Sequence, residues 1–403
     1  MTTEQAAAWG ASGDHSPLMN NYGSPPRLFV KGAGAELWDA EGNRHLDFLC
    51  GLAVTSLGHA DPDVAAAIAA QASTLIHTSN LFANEHQAPV AERVSALIDA
   101  GPGQVLFQNS GAEAVEAAIK LSRKYQGRGR HVVISAMRSF HGRTLAALAA
   151  TGQPEKHEPF QPLPEGFHHV AWNDLGELER ALSPEVGAIL LEPVQGEGGV
   201  NPADASYLQG VRSLCDERGI LLIMDEIQTG FARTGEWFGF QHAGIRPDIV
   251  TLAKGIANGM PVGGIWARDE VAAAFGPGDH GSTFAGQALA LAAARATLDR
   301  YAAMDAPAVV RERGAALTAA LTALDGVDHV RGAGLLLGIE LTDDARAGRT
   351  GPEIARACLD EGLVLNGITP TALRVAPPFI ITDEQIAEAV SIIAGVLDAK
   401  EAA

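Results

Sequence analysis

The chain has 403 residues, 47% of them hydrophobic, and a formal net charge of −19. That length and apolar content support a sizeable core with room for two domains, and the acidic balance disfavours nucleic acid as a partner. No window reaches the apolar length of a membrane span, no basic cluster precedes an apolar segment at the N-terminus, and the three cysteines lie far apart without a CxxC, so a cytoplasmic protein with no membrane contact is expected. Thirteen histidines show no HExxH-like spacing, so no protein-ligated metal is expected. Any anionic substrate has to be gripped by locally placed arginines.

Taken in order, residues 1 to about 20 are small and polar and are expected to be mobile. Short runs at Arg27–Lys31, Ala35–Asp39 and His45–Phe48, separated by Gly32-Ala33-Gly34 and Glu41-Gly42-Asn43, predict a small meander. Asp61-Pro62 predicts a helix start, with a capping carboxylate followed by proline at the first helical position. Apolar runs then recur at Val105–Phe107, Val132–Ser135, Ala188–Leu191, Ile220–Met224, Ile249–Leu252 and Gly264–Trp266. Helical stretches at Ala112–Tyr125, Tyr207–Arg218 and Gly286–Tyr301 lie among them. This alternation predicts an α/β domain with a largely parallel sheet. Beyond residue 305 the texture becomes that of a smaller α+β unit: Ala308–Leu324, Gly332–Leu341, Pro352–Glu361, Leu363–Leu365, Ala372–Val375 and Asp383–Leu397. The expected division is an N-terminal segment, 1–60, packing with the small domain, a large domain, 61–295, and the small C-terminal domain, 296–403.

Four stretches carry candidate chemistry. Asn109-Ser110-Gly111-Ala112 joins a strand to a helix, and the free N–H groups and positive dipole end of such a helix can seat a phosphate. Ser139-Phe140-His141-Gly142-Arg143 puts an aromatic, a glycine and an arginine just past a strand, where Phe140 can cover a flat ring and Arg143 can grip a carboxylate bidentately. Asp225 ends the run Leu221-Leu222-Ile223-Met224, so its carboxylate is expected to be partly buried and to need a partner. Lys254 ends the run Asp248–Ala253 and is followed by small, glycine-rich residues, as for an amine at a strand end beside a ligand. Alone, each has a plainer reading: a helix cap, a core Phe with a surface Arg, an internal salt bridge, a solvated charge. Together they match the four handles of pyridoxal 5'-phosphate, namely phosphate, ring face, pyridine nitrogen and aldehyde.

The strings Phe140–Gln153 (FHGRTLAALAATGQ), Leu191–Val200 (LEPVQGEGGV), Met224–Gly235 (MDEIQTGFARTG) and Leu252–Gly264 (LAKGIANGMPVGG) resemble those of the class III, or ω-amino, aminotransferases. These are pyridoxal-phosphate enzymes of fold type I, and the likeness runs from Asn20 to Pro378. The resemblance implies that Lys254 forms the Schiff base and shuttles the proton, and that Asp225 partners the ring nitrogen. Gln228 is implied near the ring hydroxyl, Phe140 on the ring, and Ser110, Gly111 and Ala112 at the phosphate. Ser282 and Thr283 match the segment that reaches a neighbouring subunit's cofactor, which implies a homodimer with shared active sites. Two departures stand out: Ala112 replaces a hydroxyl residue often found there, and Ala285 and Gln287 stand where Gly and Asn are expected.

The resemblance further implies a donor with a terminal amine, N2-acetyl-L-ornithine, with 2-oxoglutarate as acceptor, in arginine biosynthesis. Arg143 is expected to hold the distal carboxylate of each substrate and Arg374 the α-carboxylate of 2-oxoglutarate or glutamate. Glu197 is expected to pair with Arg374 and to swing away when an α-carboxylate arrives. Tyr22 is a further expected substrate contact. Leu52 stands where relatives acting on free ornithine tend to carry tyrosine, and an apolar side chain suits an acylated amine. Ornithine, succinylornithine, succinyldiaminopimelate and 4-aminobutyrate are the competing donors. An aminomutase and a non-catalytic cofactor-binding regulator are the competing classes.

Overall fold

The structure, a computed structural model, describes residues 18–399. The mobility expected near the N-terminus therefore concerns residues of which 1–17 lie outside the described ones. The described chain opens on three short antiparallel strands, β1 (Phe29–Ala33), β2 (Glu36–Asp39) and β3 (Arg44–Asp47). The helix Pro62–Ala72 follows, and the Asp61 carboxylate accepts from the N–H groups of Asp63 and Val64 at its start.

The centre is a seven-stranded sheet. Its strands are β4 (Gly103–Gln108), β5 (Val132–Ala136), β6 (Phe167–Val170), β7 (Val186–Leu191), β10 (Leu221–Asp225), β11 (Ile249–Leu252) and β12 (Gly263–Arg268). Between β7 and β10 the chain makes a two-stranded hairpin of β8 (Val194–Gln195) and β9 (Asn201–Pro202). The order across the sheet is β4-β12-β11-β10-β7-β5-β6. Every pairing is parallel except those of β12, which runs antiparallel to both β11 and β4. Strands β5, β7, β10 and β11 are buried at every position. A parallel sheet is covered on both faces, and strands in it read as continuous apolar runs.

The C-terminal third forms a second sheet, ordered β13-β14-β17-β16, from β13 (Val327–Ala333), β14 (Leu336–Leu341), β16 (Asn366–Gly367) and β17 (Ala372–Val375). Strand β15 (Leu363–Val364) leaves this region to pair in parallel with β3, so a C-terminal strand closes the N-terminal sheet. The single run expected at Gly332–Leu341 is in fact the end of one strand, the turn and the second strand of a hairpin. Its turn sits at Gly334, where φ is +56° and a side chain would strike the backbone of Thr234 at 2.6 Å. Among the described residues no helix is long and apolar enough to cross a membrane.

Because β12 reverses twice, β4 runs parallel to β11, and the carboxyl ends of β4, β5, β7, β10 and β11 share one edge. Asn109–Ala112, Met137–Arg143, Glu192, Asp225 and Lys254 all follow or end those strands. In open α/β sheets this edge is where ligands bind.

Candidate active site

The helix Gly111–Gln126 begins at this edge. Ser110 is its N-cap, its hydroxyl accepting from Glu113 N–H at 3.3 Å, while the Glu113 carboxylate reaches back to Asn109 N–H at 2.7 Å. These side chains cap the turn, and the N–H groups of Gly111 and Ala112 have no partner among the described residues. Close approach depends on two glycines. A side chain on Gly263 would lie 2.3 Å from the Ser110 carbonyl oxygen, and one on Gly142, whose φ is +138°, would lie 3.0 Å from the Ala112 Cβ.

Asp225 ends β10 and is 4% exposed. Its Oδ2 lies 2.7 Å from His141 Nδ1, and its Oδ1 accepts from the Thr251 hydroxyl at 2.8 Å and Ile227 N–H at 3.2 Å. His141 follows β5 and Thr251 lies in β11, so three strands fix one carboxylate. Glu192, just past β7, accepts from Phe140 N–H at 3.1 Å and Gly196 N–H at 3.2 Å. Burial pushes the Glu192 carboxyl up to about 7.

Lys254 follows β11 with its backbone in the left-handed region, at φ +46°. Its partly buried amine has no hydrogen bond or ion pair with the described residues. Desolvation lowers it to about 8, against the opposing pull of Glu197, Asp225 and Glu192. Arg374, in β17 and 1% exposed, donates through Nη1 to Glu197 Oε1 at 2.6 Å and through Nε to Asn366 Oδ1 at 3.1 Å. Its Nη2 is buried without a partner. Burial pushes the Glu197 carboxyl up, but the charge and hydrogen bond of Arg374 outweigh this and hold it below its ordinary value.

A cavity of about 410 Å³ gathers Ser110, Gly111, Ala112, Phe140, Arg143, Glu197, Asp225, Gln228 and Lys254 on its walls. Arg374 touches this set through Glu197 and through Gln228 Oε1 at 3.4 Å. Arg143 stands exposed at the mouth, its guanidinium 5.6 Å from the centre of the Phe140 ring. Ser282 sits one residue away from the cavity, accepting from Asn109 Nδ2 at 2.7 Å. Thr283 and Tyr22, the latter 93% exposed, do not line the cavity in the single chain. Leu52 is 40% exposed and also stands off the wall, where Val54 and Met260 contribute instead.

Sequence reading missed His141, Thr251 and Glu192. His141 lies inside the Phe140–Arg143 string and Glu192 inside LEPVQGEGGV, so each stood within a marked motif. Only the order of the strands shows that they converge on Asp225 and Phe140.

The chain matches the family model for class III aminotransferases over residues 18–397. The acetylornithine aminotransferase of Caldanaerobacter subterraneus subsp. tengcongensis is 46% identical over 389 residues, covering 94% of this chain and 97% of that protein. That of Methanothermobacter thermautotrophicus is 43% identical over 384 residues, covering 94% and 96%. Among solved structures, the ornithine aminotransferase of Toxoplasma gondii ME49 matches with a TM-score of 0.91 at 33% identity, covering 100% of this chain and 96% of that one. The N-acetylornithine aminotransferase of Stenotrophomonas maltophilia K279a matches with a TM-score of 0.82 at 35% identity, covering 94% and 98%. With a lysine amine, a strand-end carboxylate and a helix N-terminus converging in one cavity, and with this likeness along nearly its whole described length, the chain belongs to the class III aminotransferases, fold-type I enzymes that use pyridoxal phosphate.

Proposed function

We propose that this aminotransferase moves the terminal amino group of N2-acetyl-L-ornithine to 2-oxoglutarate, giving N-acetyl-L-glutamate 5-semialdehyde and L-glutamate in arginine biosynthesis, with pyridoxal 5'-phosphate as its cofactor. The observation that carries the reading is the 2.6 Å pair of Glu197 with the buried Arg374. An ω-amine donor presents no carboxylate near its reacting end, whereas 2-oxoglutarate does, and a buried arginine left unpaired in one half-reaction would be costly. Glu197 supplies the carboxylate for the first substrate and gives way to that of the second. The acetylornithine aminotransferases at 43–46% identity support the donor. Free ornithine is the second reading, favoured by the TM-score of 0.91 to an ornithine aminotransferase.

The residues present fit the cofactor. The partnerless N–H groups of Gly111 and Ala112 suit a phosphate, and backbone donors suffice there even though Ala112 lacks a hydroxyl. The Asp225 carboxylate keeps a lone pair beyond those used by His141, Thr251 and Ile227, and so can accept from a protonated ring nitrogen. Phe140 would cover the ring face, Gln228 would lie near the ring hydroxyl, and the unpaired Lys254 amine would be available to the aldehyde. When bound, the cofactor supplies the carbonyl that takes up the amino group and an electron-withdrawing ring that acidifies the carbon bearing it.

The chain's own groups do the rest. Lys254 Nζ, lowered to about 8 so that a working fraction is neutral near neutral pH, would take a proton from the amine-bearing carbon of the donor and, in the second half-reaction, deliver one to the α-carbon of the acceptor. Asp225, oriented by His141 and Thr251, would hold a proton on the ring nitrogen. Arg143 holds the single carboxylate of the donor and the distal carboxylate of 2-oxoglutarate. Arg374 Nη2, free of partners, is open to the α-carboxylate.

The same reading includes a homodimer. Leu81 (85% exposed), Phe82 (69%) and Phe284 (59%) form an apolar surface beside the Ser282-Thr283 loop. Asn80 ties the two segments by donating to the carbonyls of Ser282 and Ala285. A second copy covering this surface would give Thr283 access to the neighbour's phosphate and Tyr22 access to substrate. The reading also takes the protein as cytoplasmic and divides the chain at about residues 60 and 295, the pairing of β3 with β15 supporting attachment of the N-terminal segment to the C-terminal one.

The test is a panel of first half-reactions. Cofactor-loaded protein is mixed with acetylornithine, ornithine, succinylornithine, succinyldiaminopimelate or 4-aminobutyrate, and the change in cofactor absorbance is followed. Acetylornithine should react fastest. Faster reaction with free ornithine would overturn the donor.

A further inference from the structure

The left-handed backbone of Lys254 is imposed from behind, on the side away from the cavity. The turn Lys254–Ala257 departs sharply from β11, with Ala253 at φ −168°, ψ −148°, Lys254 at φ +46° and Asn258 at φ +45°. A lysine has a Cβ and disfavours this region, so the conformation persists only where surrounding groups hold it.

Two groups grip the turn. Asn258 accepts from Leu57 N–H at 2.9 Å and donates to the Gly58 carbonyl at 3.0 Å. Tyr301, wholly buried in the helix Ala288–Ala303, donates its hydroxyl to the Gly255 carbonyl at 2.8 Å. A Cβ on Gly255 would meet Ser56 Oγ at 3.5 Å and the Tyr301 oxygen at 3.6 Å, ordinary contacts, so the hold on this turn comes from the hydrogen bond to its carbonyl rather than from the absence of a side chain.

Tyr301 is itself held. The Ser56 hydroxyl hydrogen-bonds its oxygen, and burial pushes the phenol above its ordinary value, so it stays a donor throughout the working range of pH. Ser56 Oγ in turn accepts from Arg233 Nη2 at 2.8 Å. Arg233 is 1% exposed and has no carboxylate partner among the described residues. Its Nη1 donates to the carbonyls of Leu335 at 3.1 Å and Pro377 at 2.5 Å, and its guanidinium lies 4.7 Å from the centre of the Phe379 ring. Pro377 lies three residues beyond Arg374. A buried polar chain therefore runs from the end of β17, through Arg233, Ser56 and Tyr301, to the backbone of the lysine turn.

We propose that Tyr301, supported by Ser56 and Arg233, is a positioning residue for Lys254: it fixes the Gly255 carbonyl and so the strained turn from which the amine reaches the cavity. The inference rests on the reading of Lys254 as the reacting lysine. It differs from a packing role in what it predicts. A tyrosine that only fills the core would affect stability, whereas one that aims the amine affects proton transfer in both half-reactions and leaves substrate binding alone.

The test uses cofactor-loaded Tyr301→Phe, which keeps the ring and removes only the hydroxyl. Both half-reactions are followed under single-turnover conditions as a function of substrate concentration and pH. The maximal rate should fall about tenfold in each, with half-saturating concentrations within about twofold of the parent. In the second half-reaction the Lys254 amine is free, and the acidic limb of its pH profile should rise by about one unit as the loosened turn admits water. The charged groups that act on the amine, Glu197, Arg374, Asp225 and Glu192, are unchanged by the substitution. An unmoved rate and limb, whatever the melting temperature does, would sink the proposal, as would a loss confined to substrate affinity. Should Tyr301→Phe fail to fold, Ser56→Ala carries the same expectations and the same refutation. Turnover retained by Lys254→Ala would instead remove the underlying reading, while an inactive Lys254→Ala beside an unaffected Tyr301→Phe would remove this inference alone.

Discussion

Arg374 and Glu197 meet at 2.6 Å across 177 positions of sequence, an arginine from the C-terminal sheet with a carboxylate from the loop between β8 and β9. The arginine is 1% exposed, while Glu197 remains partly open to the cavity. The mobile member of the pair is therefore the carboxylate. Glu197→Ala strips Arg374 of its only charged partner among the described residues, and an uncompensated buried charge costs about 3–5 kcal/mol. That cost falls on the half-reaction whose substrate brings no carboxylate next to its reacting carbon. Single-turnover rates with acetylornithine should drop about a hundredfold, against less than about tenfold with glutamate. Equal losses would remove the exchange of carboxylates from the mechanism.

The His141–Asp225 contact at 2.7 Å makes a second prediction. A hydrogen bond to a charged group is worth about 1.5–3 kcal/mol. His141→Phe should therefore slow both half-reactions by about ten- to a hundredfold and hasten cofactor loss on dilution. Thr251→Val, which removes the 2.8 Å bond to the other carboxylate oxygen, should do the same more weakly. Because both act on one carboxylate, the double variant should lose less than the sum of the two free energies. Strict additivity would mean that the two donors orient it independently.

These contacts also mark how far the sequence could be read. Strands β10 and β11 were legible because burial on both faces makes them continuous apolar runs, and Asp225 and Lys254 were legible because each charge breaks such a run. Strand β6 escaped notice: it is an edge strand reading Phe167-His168-His169-Val170, with His168 exposed. The partnership of His141 with Asp225 spans 84 positions and exists only because β5 and β10 both border β7. Nor does composition announce the left-handed turn at Cys50, Gly51, Leu52 and Ala53, with φ of +53°, +59°, +70° and +64°. Only one of the four is glycine. The turn is held by the Asp47 carboxylate, which accepts from the N–H groups of Leu49 and Cys50 at 3.0 and 2.8 Å. That turn carries Leu52 off the cavity wall, so a residue placed in the site by resemblance stands beside it.

Gly263 offers a test of the phosphate seat that touches none of its donors. It opens β12 opposite Gln108 of β4, and a side chain there would sit 2.3 Å from the Ser110 carbonyl oxygen. Backbone cannot yield as a flexible side chain can. Gly263→Ala should therefore push the Ser110–Ala112 turn out of place, weaken cofactor binding at least about tenfold, and destabilise the protein by about 1–3 kcal/mol. Equilibrium dialysis against the cofactor, together with urea unfolding, would register both. Unchanged cofactor affinity would mean that the phosphate is held elsewhere.

The lowered Lys254 amine leads to a prediction about stability and rate together. Desolvation takes it from the ordinary 10.5 to about 8. Between those values the unfolded chain binds more protons than the folded one, so stability should rise with pH through that window and the amine's cost should be fully present below about 8. Lys254→Met, which removes the group that must be desolvated, should therefore stabilise the cofactor-free protein at pH 7. The gain should be on the order of 1–2 kcal/mol, less than the full shift implies because water reaches the partly open amine. The advantage should shrink as pH approaches 10.5. The same titration governs catalysis with opposite visibility, for only the neutral amine can accept a proton, and the second half-reaction should accelerate as pH rises through about 8. Urea unfolding of parent and variant at pH 7 and 10 measures the first effect, and a single-turnover pH profile of the parent measures the second. A Lys254→Met protein no more stable than its parent at pH 7, together with a rate flat from pH 7 to 9, would mean that the amine is not held desolvated where the chemistry needs it.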